Sequence, residues 1–353
     1  MGADGGPERI ILGGLEAART MGQSLRLVMI GRQAAIQNVL KGVKEVPENV
    51  AVVHAPTEIP MHMAATEGVR MRDSSVALGL QMVRRDEADA FVSPGNTGAV
   101  MASSLLTLGR IEGVQRPAIA AALPTSKGRP CVVLDMGANT DCRPQHLSQF
   151  AVMGSVYSQV VFHTESPSVG LLSIGEERSK GNELIFKARA LLSESKINFV
   201  GNIEGRDILS GAVDVAVTDG FTGNILLKFA ESLEPMLVTA VKHQVATNIF
   251  SRMGAMLLLP FLRRMRRTLD YAEKGGAPLL GVNGIVIICH GSSSPRAMTN
   301  AVLVAHEMAQ KRINELIHQE LITNHFGRSN GVDSEGQNLR NGVIYSAGSD
   351  DQR

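Results

Sequence analysis

Apolar runs of four to seven residues, rich in Val and Ile, alternate along the chain with stretches of helical period. That alternation predicts strands joined by crossover helices, the pattern of a parallel sheet. The runs predict strands over residues 25–30, 50–54, 90–93, 118–123, 131–135, 169–174, 198–200, 213–218 and 285–289. Helical periodicity predicts helices over 8–21, 74–84, 97–108, 144–160, 181–192, 222–244 and 295–320. The expected fold class is therefore α/β, doubly wound around a mostly parallel sheet. Residues 1–322 read as one α/β unit, in which chain leaving and re-entering the sheet can build a second lobe. From Asn324 the chain turns polar and rich in Gly, Ser, Asn and Asp, which predicts a disordered tail over 323–353. No apolar run approaches the roughly 20 residues that a membrane-spanning helix needs.

Composition sharpens this picture in three places. Thirty-five basic and thirty-four acidic residues give +1, so the global footprint of a nucleic-acid binder is absent and any charged partner must meet a local patch. The 36 glycines are about 10% of the chain, against a usual ~7%, so their positions matter. Cys131, Cys142 and Cys289 are far apart with no C-x-x-C pair, which argues against a disulfide framework or zinc ribbon and for a reducing cytoplasm. The N-terminal M-G-A-D-G-G-P lacks the charged and apolar regions of a secretory signal.

Ligands in an open parallel sheet bind at the carboxyl ends of its strands. Five predicted strand ends here are unusually polar: S-P-G-N-T-G at 93–98, D-M-G-A-N-T-D at 135–141, S-I-G-E-E-R-S-K-G-N-E at 173–183, T-D-G-F-T-G-N at 218–224 and C-H-G-S-S-S at 289–294. Each offers glycine where backbone can approach a ligand, hydroxyl or amide groups, and a following helix whose first N–H groups point outward. Lys180, and Lys228 one turn into its helix, add positive charge. Any one of these loops could be an ordinary capped turn; five in one sheet suit a phosphate-type ligand.

The chain has no G-x-x-x-x-G-K-[ST] loop, no G-x-S-x-G elbow and no G-x-G-x-x-G opening a first βαβ unit. An NTPase, a serine hydrolase and a Rossmann dehydrogenase all lack their signatures. Cys142 lies in a polar loop where a nucleophile could sit, yet no His is tied to it by sequence. Asp135, Asp141 and Asp219 could gather around Mg²⁺ or cap the helices that follow them. His290 could donate to a substrate oxygen or make a structural hydrogen bond.

Taken together, M-G-A-D-G-G-P-E (1–8), S-P-G-N-T-G-A (93–99), L-D-M-G-A-N-T-D-C (134–142), G-x-E-x-x-K-G-N-E (175–183), N-x-E-G-R-D-I (202–208), V-T-D-G-F-T-G-N (217–224) and Y-A-E-K-G-G-A-P-L-L-G-V-N-G (271–284) resemble the phosphate acyltransferase family of bacterial phospholipid synthesis. The resemblance covers residues 1–321. It implies transfer of a fatty acyl group from acyl carrier protein to inorganic phosphate, giving acyl phosphate for glycerol-3-phosphate acylation. It also implies a homodimer with a fold like that of isocitrate and isopropylmalate dehydrogenases and of phosphotransacetylase, with no cofactor or metal. Chains of the family usually begin with a short apolar strand ahead of this first motif, whereas this sequence starts at Met1 of it, which suggests a late start assignment. Loss of a central strand would leave backbone groups unpaired. Ala3 replaces the motif's second glycine and leaves Asp4 in place.

Phosphate is itself a nucleophile, so such an enzyme needs no acyl-enzyme, only a grip on phosphate and donors for the tetrahedral oxyanion. The resemblance assigns Lys180 and Asn224 that catalytic role, as a charge and an amide donor. Asp4, Asn96, Thr97, Asn139, Asp141, Asn182, Asp219, Thr222, Lys228 and His290 would bind or position substrate. Residues 252–267 pack five arginines and an apolar stretch into sixteen positions. Leu257, Leu258, Phe261, Arg263, Arg264, Arg266 and Arg267, on a helical region protruding near 245–270, would meet acidic acyl carrier protein or an anionic membrane surface, unless they only pack a dimer. The expected setting is the cytoplasm and inner membrane face, beside the membrane glycerol-3-phosphate acyltransferase. The rival reading is an acetyl-CoA type phosphotransacylase; a decarboxylating dehydrogenase would need more arginine in these loops.

Overall fold

The structure, a computed structural model, describes residues 6–245, residue 254 and residues 275–326. Asp4, most of the predicted protruding region with Leu257, Leu258, Phe261, Arg263, Arg264, Arg266 and Arg267, and the tail from residue 327 lie outside the described residues.

The chain opens with α1 (Gly6–Met21), β1 (Leu27–Gly31), α2 (Gln33–Lys41), β2 (Val50–His54), α3 (Ala65–Gly68), α4 (Ser75–Arg84), β3 (Ala90–Ser93) and α5 (Thr97–Leu108). It continues through β4 (Ala118–Ile119), β5 (Ala121–Leu123), β6 (Cys131–Leu134), α6 (Pro144–Phe162), β7 (Val169–Leu172), α7 (Glu183–Ser193), β8 (Phe199–Ile203) and α8 (Gly205–Ser210). Then come β9 (Val215–Val217), α9 (Gly220–Val245), β10 (Ala277–Leu280), β11 (Ile285–Ile288), α10 (Pro295–Gln310) and α11 (Ile313–Thr323). Five of the eight described strand pairings are parallel, as the α/β reading requires.

Among the described residues the strands of the single expected sheet are divided into three: β1-β2, β3-β11-β10-β4 and β5-β6-β9-β7-β8. The predicted strand over 118–123 is where the chain changes sheets. Ile119 pairs with Leu279 of β10 and Ala121 with Val133 of β6, while the Ala120 N–H donates to the Pro278 carbonyl. All six residues are buried, so an unbroken apolar run carried no mark of the switch. Strand β10 was not among the predicted strands; Pro278 and the glycines at 275, 276 and 281 are residues that strands usually avoid. The helix expected over 295–320 breaks at Arg312, whose φ of 51° is left-handed, and resumes as α11. Helices α3 and α8 are too short for a periodic signal, and the nine-residue α2 was not predicted although its apolar positions are helically spaced.

Helix α6 organises the larger core. Thirteen of its nineteen residues are buried, among them Phe150, Met153 and Tyr157, and it packs on β6 and β9 with α7, α10 and α11 around it. A helix apolar on nearly every side belongs inside. Strands β1 and β3 both line a cavity of about 370 Å³ walled by Ile10, Ile11, Met82, Met298 and Val302. Among the described residues, β1 bonds only to β2 and β3 only to β11, so no described strand bridges that gap.

Candidate active site

The five polar strand ends fall into two groups. Strands β3 and β11 are parallel neighbours, which sets the 93–96 turn beside Cys289 and His290. Strands β6, β9 and β7 are consecutive in the other sheet, so the loops at 135–141, 218–224 and 173–183 adjoin.

Asp135 is the hub of the second group. Its buried Oδ1 accepts from the N–H groups of Ile119 (3.0 Å), Gly137 (3.2 Å) and Ala138 (3.0 Å). Its Oδ2 accepts from the Asn139 N–H (2.7 Å) and side-chain amide (2.8 Å). Burial pushes the carboxyl's pKa up, and these donors pull against it. Helix α9 sits directly on this loop: a Cβ at Gly223 would lie 1.9 Å from the Asp135 carbonyl oxygen, and one at Gly220 would lie 2.6 Å from that of Asn139. The glycines of G-F-T-G are needed for contact between protein segments, where the sequence suggested room for a ligand.

Many expected ligand groups are spent on folding. Asn96 is buried; its oxygen caps α5 through Ala99 N–H, and its amide donates to the carbonyls of Pro60, Met61 and Met63. Asn139 reaches Pro117 as well as Asp135, and Asn182 caps α7 at Ile185. Asp219 caps α9 by accepting from both the N–H and hydroxyl of Thr222. Lys228 pairs with Glu231 at 2.9 Å, and His290 Nδ1 lies 2.7 Å from the Ser292 hydroxyl. For Asp219 the cap, not the metal site, is what is seen, and no group of three metal-ligating side chains occurs among the described residues.

Lys180, Asn224, Thr97 and Asp141 remain exposed, with side chains making no hydrogen bond or ion pair among the described residues. Lys180 follows β7 and Asn224 follows β9, on adjacent parallel strands, and Asn224 Cβ lies 3.4 Å from where Gly137 would place a Cβ. Asn202, which sequence reasoning left as one letter of a motif, holds the lysine loop: its amide donates to the carbonyls of Glu177 (3.2 Å) and Lys180 (3.1 Å). Arg206 of the same motif pairs with Glu176 at 3.0 Å. The buried Ser173 hydroxyl and Asn202 Oδ1 beneath this loop have no partner among the described residues.

Cys142 is no ready nucleophile. Burial pushes its thiol up to about 12, despite a bond from the Gly220 N–H, so it is neutral near pH 7. Arg116, Arg143 and His146 gather beside it in an open pocket. Sequence reasoning missed this group; the signal available was Arg143 beside Cys142 at the start of a predicted helix.

The architecture is a phosphotransacetylase-like α/β fold. It resembles the crystal structure of a phosphotransacetylase from Streptococcus pyogenes with a TM-score of 0.60 at 16% identity, covering 87% of this chain and 92% of that one. A family model described as "Fatty acid synthesis protein" matches residues 1–316. Phosphate acyltransferase from Brevibacillus brevis is 43% identical over 330 residues, 93% of this chain and 98% of that protein. Its counterpart from Pelotomaculum thermopropionicum is 47% identical over 322 residues, 91% of this chain and 93% of that protein. The chain belongs to this fatty acid synthesis protein family and is an acyltransferase.

Proposed function

We propose that this acyltransferase moves a long-chain fatty acyl group from acyl carrier protein to inorganic phosphate, producing acyl phosphate for phosphatidic acid synthesis. The observation carrying the reading is that Lys180 and Asn224, on the segments that follow two adjacent parallel strands, have side chains unbonded among the described residues, while the Cys142 thiol in the loop after β6 is held neutral. Phosphate attacks the thioester carbonyl directly. Lys180 supplies charge and Asn224 an amide donor to the developing oxyanion, and Asn202 holds the lysine loop in place. Thr97 and Asp141 are open to substrate, whereas Asn96, Asn139, Asn182, Asp219, Thr222, Lys228 and His290 act by shaping the loops. No cofactor enters this chemistry.

The working form in this reading is a homodimer attached to the inner face of the cell membrane through residues 252–267, handing its product to a membrane glycerol-3-phosphate acyltransferase. No described helix is long and apolar enough to cross a membrane. The test is to mix the protein with long-chain acyl carrier protein and phosphate and trap acyl phosphate as hydroxamate, with long-chain acyl-CoA and acetyl-CoA as parallel donors. Hydroxamate from the carrier-bound donor is expected, and Lys180→Ala should lower turnover by about 10²–10³. Product from acetyl-CoA alone would favour the phosphotransacylase reading, and full turnover in Lys180→Ala would remove the lysine's role.

A further inference from the structure

The open pocket beside the 135–139 loop is lined by Arg110, Arg116, Asp141, Cys142, Arg143 and His146. Arg110 donates to the Gln115 carbonyl. The exposed guanidiniums of Arg116 and Arg143 make no ion pair or hydrogen bond among the described residues. Arg143 stands at the N-cap of α6, where a guanidinium has no acceptor for the first turn. His146 meets part of that need, since its Nδ1 accepts the Arg143 N–H at 3.1 Å, which fixes the ring proton on Nε2. The residue is only 7% exposed, and its Nε2–H has no acceptor among the described residues. Burial, with the nearby charges of Arg116 and Arg143, keeps it neutral. Two free guanidiniums and a free imidazole N–H thus face one pocket together with a single carboxylate, Asp141.

We propose that this pocket binds the hydrogen phosphate ion, with Arg116, Arg143 and the His146 Nε2–H donating to its oxygens and Asp141 accepting its P–O–H. The assignment rests on the reading of phosphate as acyl acceptor and names where that substrate is held. Asp141 makes the site selective. Sulfate and a phosphodiester on the acyl donor carry no O–H near neutral pH, so each would set an anionic oxygen against the carboxylate. The pocket also borders the candidate active site. Cys142 lies 3.7 Å from the Asn139 carbonyl, on the loop whose Gly137 faces Asn224.

The experiment is calorimetric titration of the protein with inorganic phosphate and with sulfate at constant ionic strength, followed by steady-state kinetics. Phosphate should bind at least tenfold tighter than sulfate. Arg116→Ala and Arg143→Ala, both at exposed positions, should each weaken phosphate binding about tenfold, the scale of one charge-assisted hydrogen bond. Both should raise KM for phosphate by a similar factor and leave KM for the acyl donor unchanged, with Arg143→Lys restoring part of the loss. Sulfate binding as tightly as phosphate, unchanged phosphate binding in both variants, or a KM shift confined to the acyl donor would overturn the site. The titration needs no turnover: phosphate binding without acyl phosphate from any donor sinks the functional reading, whereas acyl phosphate formed with an unchanged phosphate KM sinks the pocket alone.

Discussion

His146 is buried at the mouth of α6 where a positive charge is unwelcome. Burial first, then Arg116 and Arg143, lowers its pKa from 6.5 to about 4. Between those values the unfolded chain binds a proton that the folded one does not, so the stability present above pH 6.5 drains away as pH falls toward 4. Allowing for solvent at the pocket mouth, the loss is on the order of 1–2 kcal/mol. Urea midpoints should therefore fall between pH 7 and pH 4.5, and His146→Gln should flatten that fall; parallel slopes in the two proteins would refute the assignment. At this scale the sequence was half legible. Motif strings pointed to Lys180 and Asn224, the residues proposed above as catalytic, but nothing in a string says whether an amide is free, and Asn96, Asn139 and Asn182 proved to be bonded to backbone. Arg116 and Arg143 were invisible as a pair, because only the path from β4 through β6 into α6 brings them together.

At the scale of elements, the contact between α9 and the 135–139 loop decides whether the site exists. Gly220 and Gly223 are three residues apart and so share a helix face. Alanine in a helix normally gains about 1 kcal/mol over glycine, but a methyl group 1.9 Å from the Asp135 carbonyl must push α9 off its loop. Overpacking against backbone typically costs about 1–3 kcal/mol, so Gly223→Ala should lower the melting temperature and misplace Asn224. Gly205→Ala, at a position with nothing within 4 Å, should be neutral or mildly stabilising. Equal melting temperatures for the two variants would show that the contact is not tight. The strand-to-helix rhythm was legible in advance because it is local periodicity. The division into three sheets was not, since Ala118–Ile119 and Ala121–Leu123 are equally apolar and only their partners differ.

Over the whole molecule, a net charge near zero and the absence of Trp leave apolar surface as the clearest mark of an interface. Phe221, Ile225, Phe229 and Met236 are each more than half exposed, and spacings of four, four and seven put them on one face of α9. A row of exposed apolar side chains of this kind is unusual on a monomer. It supports the proposed homodimer and ties it to the site, because Phe221 lies in the same G-F-T-G-N segment as Asn224. Replacing Ile225 and Phe229 by Asp sets carboxylates into any such interface without disturbing a buried position. Sedimentation equilibrium should then give a dimer for the unmodified protein and a monomer for the double variant, with turnover falling if pairing steadies the start of α9. A monomeric unmodified protein at micromolar concentration would remove the dimer and leave the stripe to another partner. A variant that dissociates with full turnover would instead separate assembly from catalysis.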